Sequence, residues 1–335
     1  MKTFLNPLNS LSEIESLKEG LQKKHKLYGL TGCIEAGISH LIFGIGEDYP
    51  WKLVVCSDDA RAKELWEEYA FFCDDGVYFP AKDLLFYQSD IHGNALEKDR
   101  ILALTKIVTE DKCTIFTTID ALMNRQPSMT AFLENIIHLK AGAELNLTWM
   151  EKKLSELGFE HVTQVEGPGE FSIRGGILDV YSMQEENPLR VELWGDEIDS
   201  LRFFDVVSQK SLEPVEEATI YPATELIVSE EEIDEGLERI EKEFKTTYKA
   251  LRDDMKTEES FALKTHVEAL TDARDTELFL QEMENHLPYF AFNTFSLIQE
   301  LPEDTLVFVE EPAHVEARGK EVYEEFVSGM ERRIA

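Results

Sequence analysis

Short apolar runs alternate with helical periodicities through the first 135 residues. Lys52-Leu-Val-Val-Cys56 and Cys113-Thr-Ile-Phe-Thr117 read as strands, and Ala60 to Phe72 reads as a helix between them. Strands that are apolar at consecutive positions are buried on both faces, and the helices between them supply the covering layers. The spacing therefore predicts a parallel α/β sheet over residues 1–135.

From 136 to 221 the texture changes. An amphipathic stretch at Leu147 to Leu157 precedes three runs, Phe171-Ser-Ile-Arg-Gly-Gly-Ile-Leu-Asp-Val-Tyr181, Leu189-Arg-Val-Glu-Leu-Trp194 and Ser200-Leu-Arg-Phe-Phe204. Gly-Pro-Gly, Asn-Pro and Gly-Asp punctuate them, which predicts an antiparallel meander with a helix beside it. Beyond Tyr221-Pro222, Ser229 and Glu232 make a capping box. Ile233, Leu237, Ile240, Phe244, Tyr248 and Leu251 then recur at spacings of three and four, a helical stripe expected to pack inward.

Thr305-Leu-Val-Phe-Val309 returns to a single apolar run, expected as a buried strand, and leads into Glu310-Glu311-Pro312. If this strand joins the first sheet, residues 1–135 and 222–335 build one parallel α/β domain interrupted by an inserted, mainly antiparallel α+β domain at 136–221. The chain ends inside a charged helical pattern, Glu321 to Arg333, which suggests a longer parent.

Composition narrows the function. Apolar residues make up 43% and aromatic residues 10%, as in folded domains. With 67 acidic against 33 basic residues the net charge is −34, which opposes attraction of the whole surface to phosphate backbones. Cys33, Cys56, Cys73 and Cys113 form no Cys-x-x-Cys pair and the histidines no His-Glu-x-x-His run, so reduced thiols in a cytoplasm are expected, with no metal centre and no cofactor. The N-terminus lacks an export signal, and no run is long and apolar enough for a membrane span.

One segment resembles a phosphate loop. Gly32-Cys-Ile-Glu-Ala-Gly37-Ile38-Ser39 has the two glycines and final hydroxyl of G-x-x-x-x-G-K-[ST], with isoleucine in the lysine position. Ile38 brings no charge to the β- and γ-phosphates, and Glu35 places an anion within the cradle. Glu310 and Glu311, at the end of an apolar strand, have the outline of the acidic metal-holding counterpart. The expectation is a degenerate nucleotide site with no catalytic residues; the plainer alternative is a chance glycine-containing turn. A rival reading is a divergent, ATP-dependent DNA-binding enzyme with an unusual loop.

Strand alternation places Arg190, Glu192 and Trp194 on one face and Val191 and Leu193 on the other, with Arg174 and Arg202 likewise turned away from Ile173, Leu201 and Phe203. Arginine and tryptophan dominate interface energetics, so this face is a candidate docking surface. The alternative is a solvated lattice in which the arginines pair with Glu192, Asp196 and Asp199. Direct DNA binding through the arginines is a weaker third reading, opposed by the acidic surplus.

In this order, the landmarks resemble the UvrB family and, more closely, the N-terminal UvrB-like module of transcription-repair coupling factors. The resemblance rests on Ile173 to Tyr181, Arg190 to Trp194, Asp196 to Asp205, Ile220-Tyr-Pro-Ala-Thr224 and the strand ending at Glu310-Glu311, and it covers nearly the whole chain. It implies a phosphate-loop-NTPase-like sheet kept as a scaffold. It also implies docking of UvrA on Arg174, Arg190 and Trp194, to which the strand argument adds Arg202. Family members are thought to mask this face intramolecularly, and RNA polymerase and DNA are handled by later domains absent from this chain. UvrB carries an intact loop and a DNA-inserting aromatic hairpin; here the loop is degraded and Tyr78 to Tyr87 is too short for the hairpin.

Overall fold

Trp51–Cys56 (β1) and Cys113–Thr118 (β3) lie side by side, almost wholly buried, at the centre of a four-stranded sheet. The computed structural model describes residues 2–23, 27–82, 93–274, 279, 283, 286–291 and 294–334. Residues 83–87 of the stretch compared with the UvrB hairpin lie outside these. Strands are numbered along the chain. Gly76–Phe79 (β2) flanks β3, and Leu306–Val309 (β14) flanks β1, giving the order β14-β1-β3-β2 with every pair parallel. Parallel neighbours need crossovers. The helices Asp59–Tyr69 and Gly93–Thr109 supply them.

The parallel α/β sheet expected from the sequence is present, and its last strand comes from the far end of the chain. That strand is not buried as expected. β14 is an edge: Leu306 and Phe308 pack against a core of Ile14, Leu17 and Ile45, while Val307 and Val309 are 42% and 43% exposed. An apolar run cannot by itself distinguish a central strand from an edge strand with one open face.

The second architecture is the meander. Glu170–Arg174 (β7), Ile177–Val180 (β8), Leu189–Trp194 (β9), Glu197–Phe204 (β10) and Ser211–Val215 (β11) pair antiparallel in sequence order, and the two-residue Glu160–His161 (β6) adds a parallel edge to β7. The helix Leu147–Glu156 closes one face, sharing a core of Met150, Leu154, Phe171, Leu178, Val191 and Leu201. Gly158 stops that helix in a left-handed turn at φ +83°, with its N–H on the Ser155 carbonyl and that of Phe159 on the Leu154 carbonyl. Smaller ladders pair Ile137–Lys140 (β5) with Glu217–Ile220 (β12), and Gln126–Pro127 (β4) with Thr294–Phe295 (β13).

The helix Glu230–Asp253 starts at the Ser229–Glu232 capping box. Its stripe packs inward as expected at Ile233, Leu237 and Ile240, against Leu270, Phe279 and Phe290. The chain divides into two units, Met1–Arg125 with Ser296–Ala335, and Gln126–Phe295. These boundaries differ from the expected breaks at 135/136 and 221/222. Residues 222–295 belong with the meander because Leu226 and Val228, just past β12, share one core with Ile240 of the helix Glu230–Asp253 and Leu270 of the helix Thr257–Asp272, and β13 pairs with β4. Only Ser296 onward rejoins the parallel sheet.

Candidate functional site

The meander register decides what its outer face carries. Asp179 pairs with Arg190, and Arg190 with Arg202, in one row; Ile177 pairs with Arg174 and with Glu192 in the next. Asp179, at 1% exposure, is the anchor. Arg190 donates from Nε to its Oδ1 at 2.6 Å and from Nη2 to its Oδ2 at 2.7 Å, and Arg174 donates from Nη2 to the same Oδ2 at 2.7 Å. Arg190 is also 4.2 Å above the Phe204 ring and reaches Gln209 Oε1 at 3.2 Å. These Asp179 hydrogen bonds raise its pKa above the ordinary arginine value. Two guanidinium groups on one buried carboxylate leave a local charge of +1 on a strongly acidic chain.

Arg202 is paired separately. Its Nη1 donates to Glu192 Oε2 at 2.9 Å and its Nη2 to Glu192 Oε1, and these contacts hold the Glu192 carboxyl below its usual range. The structure thus brings all four predicted residues onto one face with different availability. The Arg190 side chain is 14% exposed and that of Arg202 24%, whereas Arg174 is at 49% and Trp194 at 85%. The lattice reading is met at Arg202–Glu192 only, since Arg174 and Arg190 pair with Asp179 in place of Asp196 or Asp199. Sequence reasoning missed Asp179. An acidic residue between the core residues Leu178 and Val180 was the available signal, because a carboxylate there must sit under a partner.

The glycine segment lies in the other unit. Gly32 is exposed at φ +78°, Glu35–Gly37 forms a 3-10 turn, and the helix Ile38–Ile45 follows, with Ser39 buried in its first turn. Residues 27–31 form no strand, so the strand–loop–helix outline expected of a phosphate loop is not made here. Glu35 does not line a cradle either. Its carboxylate is 81% exposed and lies 3.7 Å from Arg61 Nη1.

Arg61 is the residue that joins the loop to the strand end. From the helix after β1, with its side chain 10% exposed, it donates to Glu310 Oε1 at 2.9 Å and to Glu64 Oε2 at 2.7 Å. Burial alone would lower its pKa, but the hydrogen bonds that it donates to Glu64 and Glu310 outweigh that and raise it. Glu310 extends the β14–β1 ladder through its N–H on the Val55 carbonyl at 3.0 Å, and Glu311 follows in a left-handed conformation at φ +44°. Sequence reasoning did not find Arg61, which stands among ordinary charged helix positions.

Cys33, Cys56, Cys73 and Cys113 are free thiols; burial pushes Cys56 and Cys113 up to about 12. Among the described residues no group of three or more His, Cys, Asp and Glu side chains is placed to hold a metal ion, and no helix is long and apolar enough to cross a membrane.

Residues 137–226 match the family model of the UvrB interaction domain. The chain is 25% identical to the transcription-repair-coupling factor of Bacillus subtilis over 97% of its own length and 27% of that protein's. It is 26% identical to UvrABC system protein B of Thermosipho africanus, covering 89% of this chain and 48% of that one. To the transcription-repair-coupling factor of a Staphylococcus aureus strain it is 29% identical over 72% of this chain and 22% of the relative. The chain therefore spans about a quarter of the coupling factors and half of the UvrB protein that it matches. The stretch that holds Arg174, Asp179, Arg190, Trp194 and Arg202 lies within the part that matches the UvrB interaction domain model, in a chain that is similar over most of its length to transcription-repair-coupling factor and UvrABC system protein B.

Proposed function

We propose that this chain is a non-catalytic interaction module of a factor that couples transcription to nucleotide excision repair, and that its meander recruits UvrA. The observation that carries the reading is Trp194, an indole at 85% exposure on the same outer face as the Arg174–Asp179–Arg190 clamp. A large exposed aromatic beside preorganised guanidinium groups suits a partner that offers an apolar pocket next to carboxylates. The family match to residues 137–226 supports it. Arg174 and Trp194 make the outward contacts, while Arg190 and Arg202 support the face from beneath. In the parent protein, intramolecular contacts mask this face, and RNA polymerase and DNA are engaged by other domains.

The parallel sheet is read as a phosphate-loop-NTPase-like scaffold whose nucleotide site has been retired. Arg61 takes up the carboxylate that would otherwise face a metal ion, and Ile38 stands where the loop lysine would be. The rival, a nucleotide-driven DNA-binding fragment in a cytoplasmic repair enzyme, needs an available cation in this region; Arg61 already serves three carboxylates.

Co-elution of the full chain with purified UvrA tests the docking reading. Trp194→Ala combined with Arg174→Gln should abolish co-elution and leave circular dichroism unchanged. These two are chosen over changes at Arg190, which gives buried Asp179 two hydrogen bonds where the half-exposed Arg174 gives one, so that its loss would confuse folding with binding. Persistent co-elution of the double variant would show that the face is wrongly assigned.

A further inference from the structure

The turn Asp205–Lys210, which joins β10 to β11, is fixed by its own polar groups. Asp205 Oδ1 accepts from the Ser208 N–H at 2.7 Å, the Asp205 N–H donates to the Lys210 carbonyl at 2.9 Å, and the Gln209 N–H donates to the Asp205 carbonyl at 2.8 Å. Gln209 adopts the left-handed conformation at φ +57°, which a non-glycine residue keeps only where its surroundings hold it. Its side chain supplies the hold: Nε2 donates to the Val206 carbonyl at 2.8 Å, and Oε1 accepts from Arg190 Nη2 at 3.2 Å.

At the apex of this turn is Val207, at 92% exposure, and Leu212 on the adjoining strand is 45% exposed. A single exposed valine calls for no explanation. This one stands on a fastened turn whose tether is the guanidinium that also grips Asp179. Ordering cost lowers affinity when a loop must be frozen on binding, and here the loop is already fixed.

We propose that the docking surface continues across this turn, and that Val207, together with Leu212 on the adjoining strand, is a second apolar anchor for UvrA at the opposite end of β9 from Trp194. The proposal rests on the UvrA-docking reading. Arg190 and Trp194 are four residues apart on β9, so the anchors flank the arginines at a separation of at least roughly 13 Å. The partner surface that fits has carboxylates for the arginines between two apolar pockets. Its negative charge complements the local +1 of the clamp on a chain that is otherwise repelled by acidic surfaces.

The test measures UvrA affinity of the full chain by surface-immobilised binding at several salt concentrations. Val207→Ser with Leu212→Ser removes apolar area without altering charge. It should weaken binding about tenfold by the same factor at every salt concentration, with an unchanged melting temperature. Arg174→Gln should also weaken binding, but with a shallower salt dependence, because it removes a charge contact. If the serine pair binds within twofold of the parent while Trp194→Ala has lost affinity, the second anchor is refuted and the docking face stands. If neither the serine pair nor Trp194→Ala alters binding, the face itself is misassigned and the anchor falls with it.

Discussion

Arg190 meets Asp179 through two parallel hydrogen bonds of 2.6 and 2.7 Å while its flat side rests 4.2 Å from the Phe204 ring centre. Edge and face of one guanidinium are thus both occupied. Burying a carboxylate to 1% exposure is costly unless it is paired and hydrogen-bonded in this way. The pair sets the position of Arg174, which binds the same carboxylate and keeps half of its side chain in solvent.

Asp179→Ala should therefore act twice. Leaving Arg190 with its carboxylate removed should lower the unfolding free energy by about 3 kcal/mol, read as a drop in denaturation midpoint. UvrA binding measured at a temperature where the variant remains folded should also weaken, because Arg174 is no longer aimed. A loss of stability with unchanged affinity would show that the clamp is structural only.

The strands of the meander and both central strands of the parallel sheet were legible from alternation and apolar runs. So was the shared face of Arg174, Arg190, Trp194 and Arg202, since a period of two fixes facing without knowledge of register. Pairing was not legible. Whether Arg190 meets Asp179 or Asp196 depends on which residues stand opposite across neighbouring strands, and the turns leave several offsets open. Arg61 was hidden for a related reason: its contact to Glu310 joins positions 249 residues apart. The unit boundary was missed because an amphipathic helix such as Glu230–Asp253 shows that it packs, but not against which core.

The glycine segment should not bind nucleotide even when the missing lysine is restored. Ile38→Lys leaves Arg61 held by Glu310 and Glu64, and leaves Glu35 beside the loop. Calorimetric titration of that variant with ATP and magnesium should show no saturable binding up to the millimolar range. Magnesium-dependent binding at micromolar concentrations, in the variant or the parent chain, would revive the enzymatic reading.

Acid should weaken the parallel-sheet unit through Asp75. This nearly buried carboxylate lies 3.4 Å from Lys52 Nζ. Burial pushes its pKa up, but the Lys52 charge and hydrogen bonds from Cys73, Tyr69 and Lys52 outweigh this and hold it below the ordinary 3.8. With the folded pKa depressed, the unfolded chain takes up the proton first. The contribution is whole above about pH 4 and is lost as pH falls through the folded value. Asp75→Asn should be less stable than the parent near neutrality, and the difference should shrink below pH 4 in urea midpoints followed by circular dichroism. A difference that is constant with pH would show that Asp75 carries no such linkage.

Gly236 shows how closely the long helix is fitted. A Cβ there would lie 2.3 Å from Phe290 Cδ1 and 2.6 Å from Cε1, and Phe290 is itself buried in the core with Ile240, Leu270 and Phe279. Helix propensity favours Gly236→Ala by about 1 kcal/mol, whereas overpacking a filled core costs about 1–3 kcal/mol. The contact is with the near edge of a buried ring, which cannot swing into solvent, so the steric term should win. A net loss of about 1–2 kcal/mol is expected. Hydrogen exchange should place it in the helix Glu230–Asp253 and leave β1 and β3 unchanged. Phe290→Leu should cost less in the alanine background than in the parent chain, because the two changes act on one contact. Additive losses would mean that the helix shifts to accommodate the methyl group and that the close approach at Gly236 does not set its position.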